Sequence, residues 1–385
     1  MQIAFWLFLF IVVYTYVGYG VVLLLLVKIR GNKIDPTIYE EHTLPSVTHI
    51  IAAYNEEDFI EDKIANSLSL DYPADKYELW IVTDGSSDKT PELVSKYPRV
   101  NLFHKDERMG KIHAVNRVMI DVTSPIVVYS DANTELNMKA LKNIVRHYND
   151  PKVGCVAGEK RVRQDEKDSS AASEGFYWKY ESFLKKYDYQ LYSVVGAAGE
   201  LFSIRTELYE DVDTNTLIED FLLSLKIASK GYRTAYEADA YAMENSSENI
   251  KEESKRKVRI AAGGFQAMWR LRSLLNIFKY GWLSFQYVSH RVLRWAVTPF
   301  LLPIILILNY LLALDSFIYH MIFLAQIAFY VAALAGYILQ QVKIKVKVLF
   351  IPFYFTFMNV SVYRGLIRYL KGNQSVLWER AGRKK

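Results

Sequence analysis

The sequence predicts an α/β fold with a mainly parallel sheet, helices on both faces of that sheet, and membrane helices at the two ends of the chain. From residue 47 onward, short apolar segments alternate with more polar helical segments across short connections, which is typical of strands joined by crossover helices. Residues 3–27, 295–314 and 317–339 form apolar runs, each long enough to cross a hydrocarbon core of about 30 Å. Residues 28–255 are charged like a soluble domain.

The individual elements follow from this alternation. Five apolar segments are predicted as strands, at residues 47–53, 77–83, 100–104, 126–130 and 153–162. Helices are predicted between them, at residues 56–68, 88–96, 111–121 and 136–148. The second half predicts an aromatic helix, a helix that starts near Glu219, a tyrosine-rich strand and a charged helix, at residues 171–189, 219 onward, 232–241 and 248–259. Because ligands of parallel sheets bind at the carboxyl ends of the strands, polar residues there are the candidates for function.

The N-terminal apolar run is predicted to be a retained membrane anchor over residues 1–30. It has no basic segment before it and no small-residue cleavage site after it. Lys28, Arg30 and Lys33 follow the run, and basic flanks of membrane helices stay in the cytosol. We therefore expect an integral protein of the bacterial inner membrane, with the domain at residues 45–265 in the cytosol.

The C-terminal third is expected to attach to the membrane in two ways. Residues 266–294 mix aromatic and basic side chains, as amphipathic helices in the membrane interface do. Residues 295–370 hold two clear membrane helices and a short apolar segment that contains Pro352 and Asn359, which we expect to be broken or re-entrant. A basic tail at residues 371–385 is then expected on the cytosolic side.

Charge and cysteine content exclude several classes of protein. The chain has 47 basic and 42 acidic residues, and the net charge of +5 lies near the membrane segments, which favours anionic lipid headgroups as the partner. The sequence contains no stripe of Arg and Lys and no RNA-binding motif, so no nucleic-acid partner is expected. The single cysteine, Cys155, excludes an intramolecular disulfide and agrees with a reducing compartment.

A candidate metal site follows the fourth predicted strand, at Asp131-Ala132-Asn133. Two oxygen ligands two residues apart at a strand end suit Mg²⁺ or Mn²⁺, which can also bind a diphosphate. Taken alone, an ordinary turn is the better interpretation, because Asp and Asn are common in turns. Arg259 lies in a basic cluster and can face the same diphosphate or simply the membrane surface.

Three further strand or helix ends carry polar residues that can act on a nucleotide-sugar substrate. Asp84 can bind a base or a ribose hydroxyl, and Lys111 follows Gly110 at a helix N-terminus, which favours phosphate. Glu219-Asp220 begins a helix, and a carboxylate there can take the proton of an attacking hydroxyl. Each has a simpler alternative: a capped turn, a solvated lysine, and stabilisation of the helix dipole by acidic residues.

The order and spacing of these residues resemble the membrane-bound family 2 glycosyltransferases, which include cellulose, hyaluronan, chitin-oligosaccharide and ceramide glucoside synthases. The resemblance covers roughly residues 47–264 and rests on five motifs, namely Tyr54-Asn55-Glu56-Glu57, Thr83-Asp84-Gly85-Ser86-Ser87-Asp88, Gly110-Lys111, Asp131-Ala132-Asn133 and Glu219-Asp220. It implies a GT-A-type fold, the fold of nucleotide-diphospho-sugar transferases, with a nucleotide-sugar donor and a divalent cation, Mg²⁺ or Mn²⁺.

The resemblance also implies a role for each candidate residue. Catalysis is assigned to Asp220 as the base, with Glu219 and Arg259 beside it. The metal is assigned to Asp131 and Asn133. Donor binding is assigned to Ala52, Tyr54, Glu56, Asp84, Lys111 and Asp131.

Four positions depart from the pattern of the family. Ile218 replaces the threonine before the acidic pair, and Asn133 replaces a second aspartate. The Gln-x-x-Arg-Trp motif of the family reads Arg256-Lys257-Val258-Arg259-Ile260, so its glutamine and tryptophan are missing. Since that tryptophan lies beside the acceptor sugar in processive synthases, its loss argues against polymer synthesis.

The expected function is therefore an inverting, non-processive transfer of sugar from a nucleotide sugar, with UDP as the expected nucleotide. The acceptor is expected to be a membrane lipid, or a lipid-linked or free saccharide. One alternative is a processive polysaccharide synthase of the same family. Another is a non-catalytic subunit that binds a nucleotide sugar in an export complex, and partner subunits of such a system are compatible with either activity.

Overall fold

The computed structural model describes residues 1–30, 43–163, 169–245, 250–341 and 346–372. One sheet forms its centre, with the strands β1 (Val47–Ala53), β2 (Tyr77–Asp84), β3 (Val100–Lys105), β4 (Ile126–Asp131), β5 (Glu135–Leu136), β6 (Val153–Val162), β7 (Leu201–Arg205) and β8 (Arg233–Glu244). Their order across the sheet is β3-β2-β1-β4-β7-β6-β8-β5. The sheet is mixed, because β7 runs antiparallel to both of its neighbours while β1 to β4 are parallel.

The helices of the α/β domain are α3 (Ile60–Leu68), α4 (Thr90–Ser95), α5 (Lys111–Met119), α6 (Ala140–Val145), α7 (Ser169–Leu191), α8 (Glu219–Ser229) and α9 (Ile250–Arg270). The remaining helices are α1 (Gln2–Val13), α2 (Tyr19–Arg30), α10 (Ile277–Tyr280), α11 (Trp282–Tyr287), α12 (Thr298–Ala313), α13 (Phe317–Gln341) and α14 (Lys347–Leu370). A π-helical turn joins α1 to α2, and a longer π-helical segment, Val288–Val297, joins α11 to α12.

The side chains of β1 alternate between two hydrophobic cores, which shows why helices cover both faces of the sheet. Ile50 packs in a core with Ile112 and other residues of α5, whereas Ile51 packs on the other face with Ile60 and Ile64 of α3. Successive side chains of a strand point to opposite faces, so a strand such as β1, which is buried throughout, needs a cover on each side. The predicted fold class, a GT-A-type mostly parallel sheet with helices on both faces, is confirmed.

All six predicted strands are present, but two short strands were missed and two predicted helices start too early. The helix predicted from residue 56 begins at Ile60, because the Glu56 backbone N–H donates to Thr90 Oγ1 at 2.8 Å and ties this turn to the next loop. The helix predicted from residue 136 begins at Ala140, because Leu136 instead pairs with Ala242 of β8. Strand β7 has only five residues and gave no separate signal.

Three helical stretches in the described part of the chain are long and apolar enough to cross a membrane: Gln2–Arg30, Trp282–Ala313 and Phe317–Gln341. The last apolar segment does not qualify, and it is one continuous helix, α14, that passes through Pro352 without the expected break. Whether α14 crosses or lies on the membrane stays a prediction. Lys33 and most of the predicted basic tail, residues 373–385, lie outside the described residues.

The segment predicted to lie in the membrane interface, residues 266–294, packs in part against the α/β domain. Leu283 and Tyr287 of α11 are fully buried in the same core as the β-strands. The long helical stretch therefore begins inside the domain and carries its most apolar part, α12, away from it. Its location in the interface remains a prediction.

Candidate active site

The parallel strands β2, β1 and β4 end together and set the geometry of the site. Ala52 of β1 is paired with Val82 of β2 on one side and with Asp131 of β4 on the other. Residues that follow these strands therefore leave the sheet at one edge. Polar side chains that are far apart in the sequence meet there, as expected for the carboxyl edge of a parallel sheet.

Asp84, the last residue of β2, is buried beneath the turn that leads into α5. Its Oδ2 accepts hydrogen bonds from the backbone N–H groups of Met109 at 3.1 Å and Gly110 at 2.6 Å. Its Oδ1 is buried and has no hydrogen-bond partner among the described residues. A buried acceptor without a donor is costly, so this oxygen is suited to receive an N–H or O–H group of a ligand.

The turn around Asp84 depends on a glycine. Gly85 has a φ of +67°, and a Cβ added there would lie 2.5 Å from the side chain of Arg108. Arg108 in turn lies over the ring of Tyr54, with its guanidinium carbon 3.6 Å from the ring centre. This close approach stacks a planar cation on an aromatic face beside Asp84, an arrangement that also suits the flat face of a nucleobase.

Lys111 joins the ends of β4 and α8. Its Nζ lies 2.9 Å from Asp131 Oδ1 and 2.9 Å from Glu219 Oε1. Burial opposes the charged form of this lysine, but the two carboxylates raise its pKa well above the ordinary value. Burial also opposes charge on Glu219, and Lys111 nevertheless lowers the pKa of that carboxyl. This ion triple is therefore charged at neutral pH.

Asp220, beside Glu219 at the start of α8, behaves differently. Burial, followed by repulsion from Glu219, raises the pKa of Asp220 from 3.8 to about 7. A Cβ added at Gly199 would lie 3.4 Å from Asp220 Oδ2 and 3.7 Å from Lys111 Nζ, so the backbone of residue 199 passes close to both groups. Two adjacent carboxyls with separated pKa values have the properties of a permanent charge and a proton acceptor that works near neutral pH.

A cleft of about 970 Å³ connects these groups. The predicted site residues that line it are Ala52, Glu56, Lys111, Asp131, Asn133, Glu219, Asp220 and Arg259. Tyr54 and Asp84 line a small adjoining pocket, which shares Ala52, Arg108 and Lys111 with the main cleft. The structure thus brings all the predicted site residues to one edge of the sheet.

Asp131 and Asn133 provide the oxygen atoms for a divalent cation. The described residues contain no group of three His, Cys, Asp or Glu side chains that can hold a metal by themselves. The pair nevertheless fits Mg²⁺ or Mn²⁺, because both residues line the cleft and such ions are commonly held by one or two protein oxygens together with water and substrate phosphates.

Arg108 and Trp295 are among the cleft residues that were missed from the sequence. Arg108 was not considered, although a basic residue two positions before Gly110-Lys111 was a usable signal. Trp295 was assigned to a membrane run, but it lines the cleft, packs on Phe221 with the ring centres 5.4 Å apart, and lies against Gly264. No local pattern distinguishes this tryptophan from a membrane-interface tryptophan.

Comparison with known proteins agrees with this geometry. Residues 48–213 match the family model described as "Glycosyl transferase family 2". The chain is 32% identical over 237 residues to a poly-beta-1,6-N-acetyl-D-glucosamine synthase of Staphylococcus aureus (strain MSSA476), covering 59% of this chain and 56% of that protein. It is 27% identical over 241 residues to the enzyme of the same name from Staphylococcus epidermidis, covering 60% and 57%. The chain thus matches just over half the length of these relatives.

A solved structure extends the likeness of the fold to nearly the whole chain. This is a mannosyltransferase from Pyrobaculum calidifontis in complex with GDP-Man and Mn²⁺, with a TM-score of 0.72 and 23% identity. The match covers 94% of this chain and 98% of that one. At this level of identity the likeness concerns the fold.

Proposed function

We propose, because residues 48–213 match the family model described as glycosyl transferase family 2, that the chain transfers sugar from a nucleotide sugar to an acceptor hydroxyl at the cytosolic face of a membrane. The expected donor is a UDP-sugar, and the expected acceptor is lipid-linked or a saccharide. The observation that carries the proposal is Asp220, a buried carboxyl with a pKa raised to about 7, in the same cleft as Lys111 and Asp131.

The nucleotide is expected to bind at the edge of β1 and β2. The unpartnered Oδ1 of Asp84 accepts a hydrogen bond from the base or ribose, while Tyr54 and Arg108 supply planar surfaces for the base. Ala52 and Glu56 form the wall between this pocket and the main cleft. The diphosphate then lies towards Lys111.

Positive charge along the cleft opposes the charge that develops on the departing diphosphate. Lys111 and Arg259 are the cations nearest the acidic residues of the site, and both line the cleft. Asp131 and Asn133 would hold a divalent cation, which when bound supplies Lewis-acid stabilisation of the leaving group. These groups favour breakage of the bond between the anomeric carbon and the phosphate oxygen.

Asp220 is the proposed base. It takes the proton of the acceptor hydroxyl while that oxygen attacks the anomeric carbon from the side opposite the diphosphate, so the configuration at that carbon is inverted. Glu219 keeps Lys111 in place and raises the pKa of Asp220, which makes the carboxylate a stronger base than a solvated aspartate.

Nucleotide release by the purified full-length protein tests this proposal. Detergent-solubilised protein is incubated with a panel of UDP-, GDP- and other nucleotide sugars and a membrane-lipid extract, and the free nucleotide is measured. We expect release with one donor class, its loss in Asp220→Asn, and no change in Asp121→Asn, whose carboxyl is exposed and outside the cleft. Equal release by wild type and Asp220→Asn would refute the role of Asp220.

A second candidate function is processive synthesis of a polysaccharide. It is favoured by the likeness to poly-beta-1,6-N-acetyl-D-glucosamine synthases, and Trp295 provides an aromatic side chain in the cleft where a sugar can stack. Mass spectrometry of the product distinguishes the two functions. One or a few sugars on a lipid support the first, and long chains formed from donor alone support the second.

The rival of another class, a nucleotide-sugar-binding subunit without catalysis, makes its own prediction. Such a protein binds the nucleotide sugar but releases no nucleotide in the presence of any acceptor. The site argues for catalysis because of Asp220, which lies beside the ion triple of Lys111, Asp131 and Glu219 and has a pKa raised to about 7. Binding of a nucleotide sugar alone does not require such a carboxyl. Partner subunits of an export system remain compatible with an active enzyme.

A further inference from the structure

The cleft continues beyond Asp220 to a second wall, built by α7 and α14. Trp178 and Lys185 of α7 line one side, and Met358, Val362 and Arg368 of α14 line the other. Since the nucleotide is expected at the sheet edge, this wall lies on the acceptor side of the site. Its chemistry is a combination of cationic and apolar groups.

Lys185 is a buried cation without a partner. Only 3% of the residue is exposed, yet it lines the cleft and forms no hydrogen bond or ion pair with any described residue. Burial lowers the pKa of Lys185, and this effect exceeds the attraction of Glu159, Glu181 and Glu200. A buried ammonium group of this kind is stabilised when an anion enters beside it.

Three carboxylates attract Lys185, but none of them lies within ion-pair distance of it among the described residues. Glu181 is held by Arg291 at 2.7 Å and by Arg294 at 2.9 Å, and Glu200 forms an ion pair with Lys160. The third, Glu159, accepts hydrogen bonds from the hydroxyl groups of Ser182 and Tyr236. An anion in the cleft can therefore make the direct contact with Lys185 that these carboxylates do not make.

Arg368 adds a second positive charge of this kind. It is half-buried, lines the cleft, and forms no ion pair or hydrogen bond within the part of the chain that the structure describes. It is carried by α14, whose other cleft residues, Met358 and Val362, are apolar. α14 packs along α13, a helix long and apolar enough to span a membrane, through contacts such as Tyr337 with Phe353.

We propose that the acceptor wall of Lys185, Arg368, Met358 and Val362 binds a membrane phospholipid whose phosphate lies against the two cations and whose head group presents a free hydroxyl to Asp220. The apolar residues of α14 accompany the lipid chain towards the bilayer. This proposal rests on the proposed glycosyltransferase function and specifies its acceptor as a hydroxylated anionic phospholipid, such as phosphatidylglycerol.

Lipid binding to the full-length protein gives a test that does not depend on the donor. Native mass spectrometry of the detergent-solubilised protein compares phosphatidylglycerol, diacylglycerol, which lacks the phosphate, and glycerol phosphate, which lacks the lipid chains. We expect phosphatidylglycerol to bind at least about tenfold more tightly than either, because only it satisfies both the cations and the apolar wall. Equal binding of diacylglycerol overturns the phosphate site, and equal binding of glycerol phosphate overturns the lipid assignment.

Substitutions of the two cations test whether the phospholipid binds at this wall. Lys185→Met and Arg368→Gln are each expected to weaken phosphatidylglycerol binding about tenfold while nucleotide binding is retained. Lys279→Met, at an exposed lysine outside the cleft, is expected to have no effect. Unchanged lipid binding in Arg368→Gln refutes the proposal even if Lys185→Met fails to fold.

A kinetic readout separates this proposal from the proposed function. Nucleotide release that rises at least about tenfold with phosphatidylglycerol, but not with diacylglycerol or a neutral oligosaccharide, supports both proposals. Release that depends on Asp220 but responds equally to a neutral oligosaccharide leaves the glycosyltransferase function standing and overturns the lipid acceptor. Specific lipid binding without any release from any donor overturns the glycosyltransferase function, and with it the assignment of this lipid as an acceptor.

Discussion

Replacement of Asp220 by asparagine is expected to abolish transfer and at the same time to stabilise the fold. The structure raises the pKa of Asp220 from 3.8 to about 7, chiefly by burial and then by repulsion from Glu219. The folded state therefore holds a proton on this carboxyl between pH 4 and 7 that the unfolded chain has lost. Stability conferred by this group falls as the pH rises through that interval, and the full cost is present above pH 7.

The magnitude follows from the pKa difference. One pKa unit corresponds to about 1.4 kcal/mol, so ionised Asp220 costs the fold up to about 4 kcal/mol at pH 8. Asparagine has the same shape and carries no charge, but it cannot reproduce every contact of the carboxyl. A gain of about 1–3 kcal/mol in the free energy of unfolding is therefore expected at pH 8, and almost none at pH 5.

Thermal unfolding of the wild-type protein and Asp220→Asn at pH 5 and pH 8 measures this difference, and nucleotide release measures activity in the same samples. The exposed control Asp121→Asn should change neither quantity. An Asp220→Asn protein that is less stable than the wild type at pH 8 would show that the carboxyl is held by favourable contacts. The argument that burial and repulsion from Glu219 raise the pKa of Asp220 would then fail.

Three further predictions concern the neighbours of Asp220. The substitution Glu219→Gln removes the negative charge beside Asp220 and should lower the pKa of Asp220. The acidic limb of the pH–rate profile should then move below its wild-type position near pH 7. A limb that stays in place would contradict the repulsion between Glu219 and Asp220. Lys111→Met leaves Asp131 and Glu219 without their shared cation, so it should lower the free energy of unfolding by about 3 kcal/mol and remove activity. Denaturant titration and nucleotide release measure these two effects. A variant as stable as the wild type would show that the ion triple is not formed. Asp84→Asn should raise the Kd for the nucleotide about tenfold in calorimetric titration, since one carboxylate acceptor is lost, and an unchanged Kd would place the base elsewhere.

The sequence predicted the parts of this molecule that are determined locally. Strands β1, β2 and β4 each have a buried, mainly apolar centre, so they were readable as strands from residues 47–131. Asp84 and Asp131 were chosen as site candidates because they end apolar strands, and Asp220 because it lies in an acidic pair at the start of a helix. The rule that parallel strands end at one edge accounts for the approach of Asp84 and Asp131, and the functional roles of all three stay predictions.

The missed features depend on partners distant in the sequence. β5 has two residues and exists because it pairs with β8, more than a hundred positions later. Trp295 becomes a cleft residue because Gly264 lets its ring approach α9, and hydropathy alone cannot distinguish this from membrane burial. Lys185 carries no local mark either, since its burial arises only when α7 packs against β6 and β8.

A buried carboxylate near the C-terminal end of α7, Asp188, links the α/β domain to two apolar helical stretches. Asp188 accepts hydrogen bonds from Tyr19 of α2 and from Gln286 of α11. It also lies 2.6 Å from Nδ1 of His290, in the segment Val288–Val297. Cutting away the N-terminal anchor leaves this carboxylate short of a donor and opens the interface where Leu23 packs on Leu184 and its neighbours. The α/β domain is thus not an independent unit, because the N-terminal apolar helix, which is the predicted membrane anchor, contributes side chains to its interior.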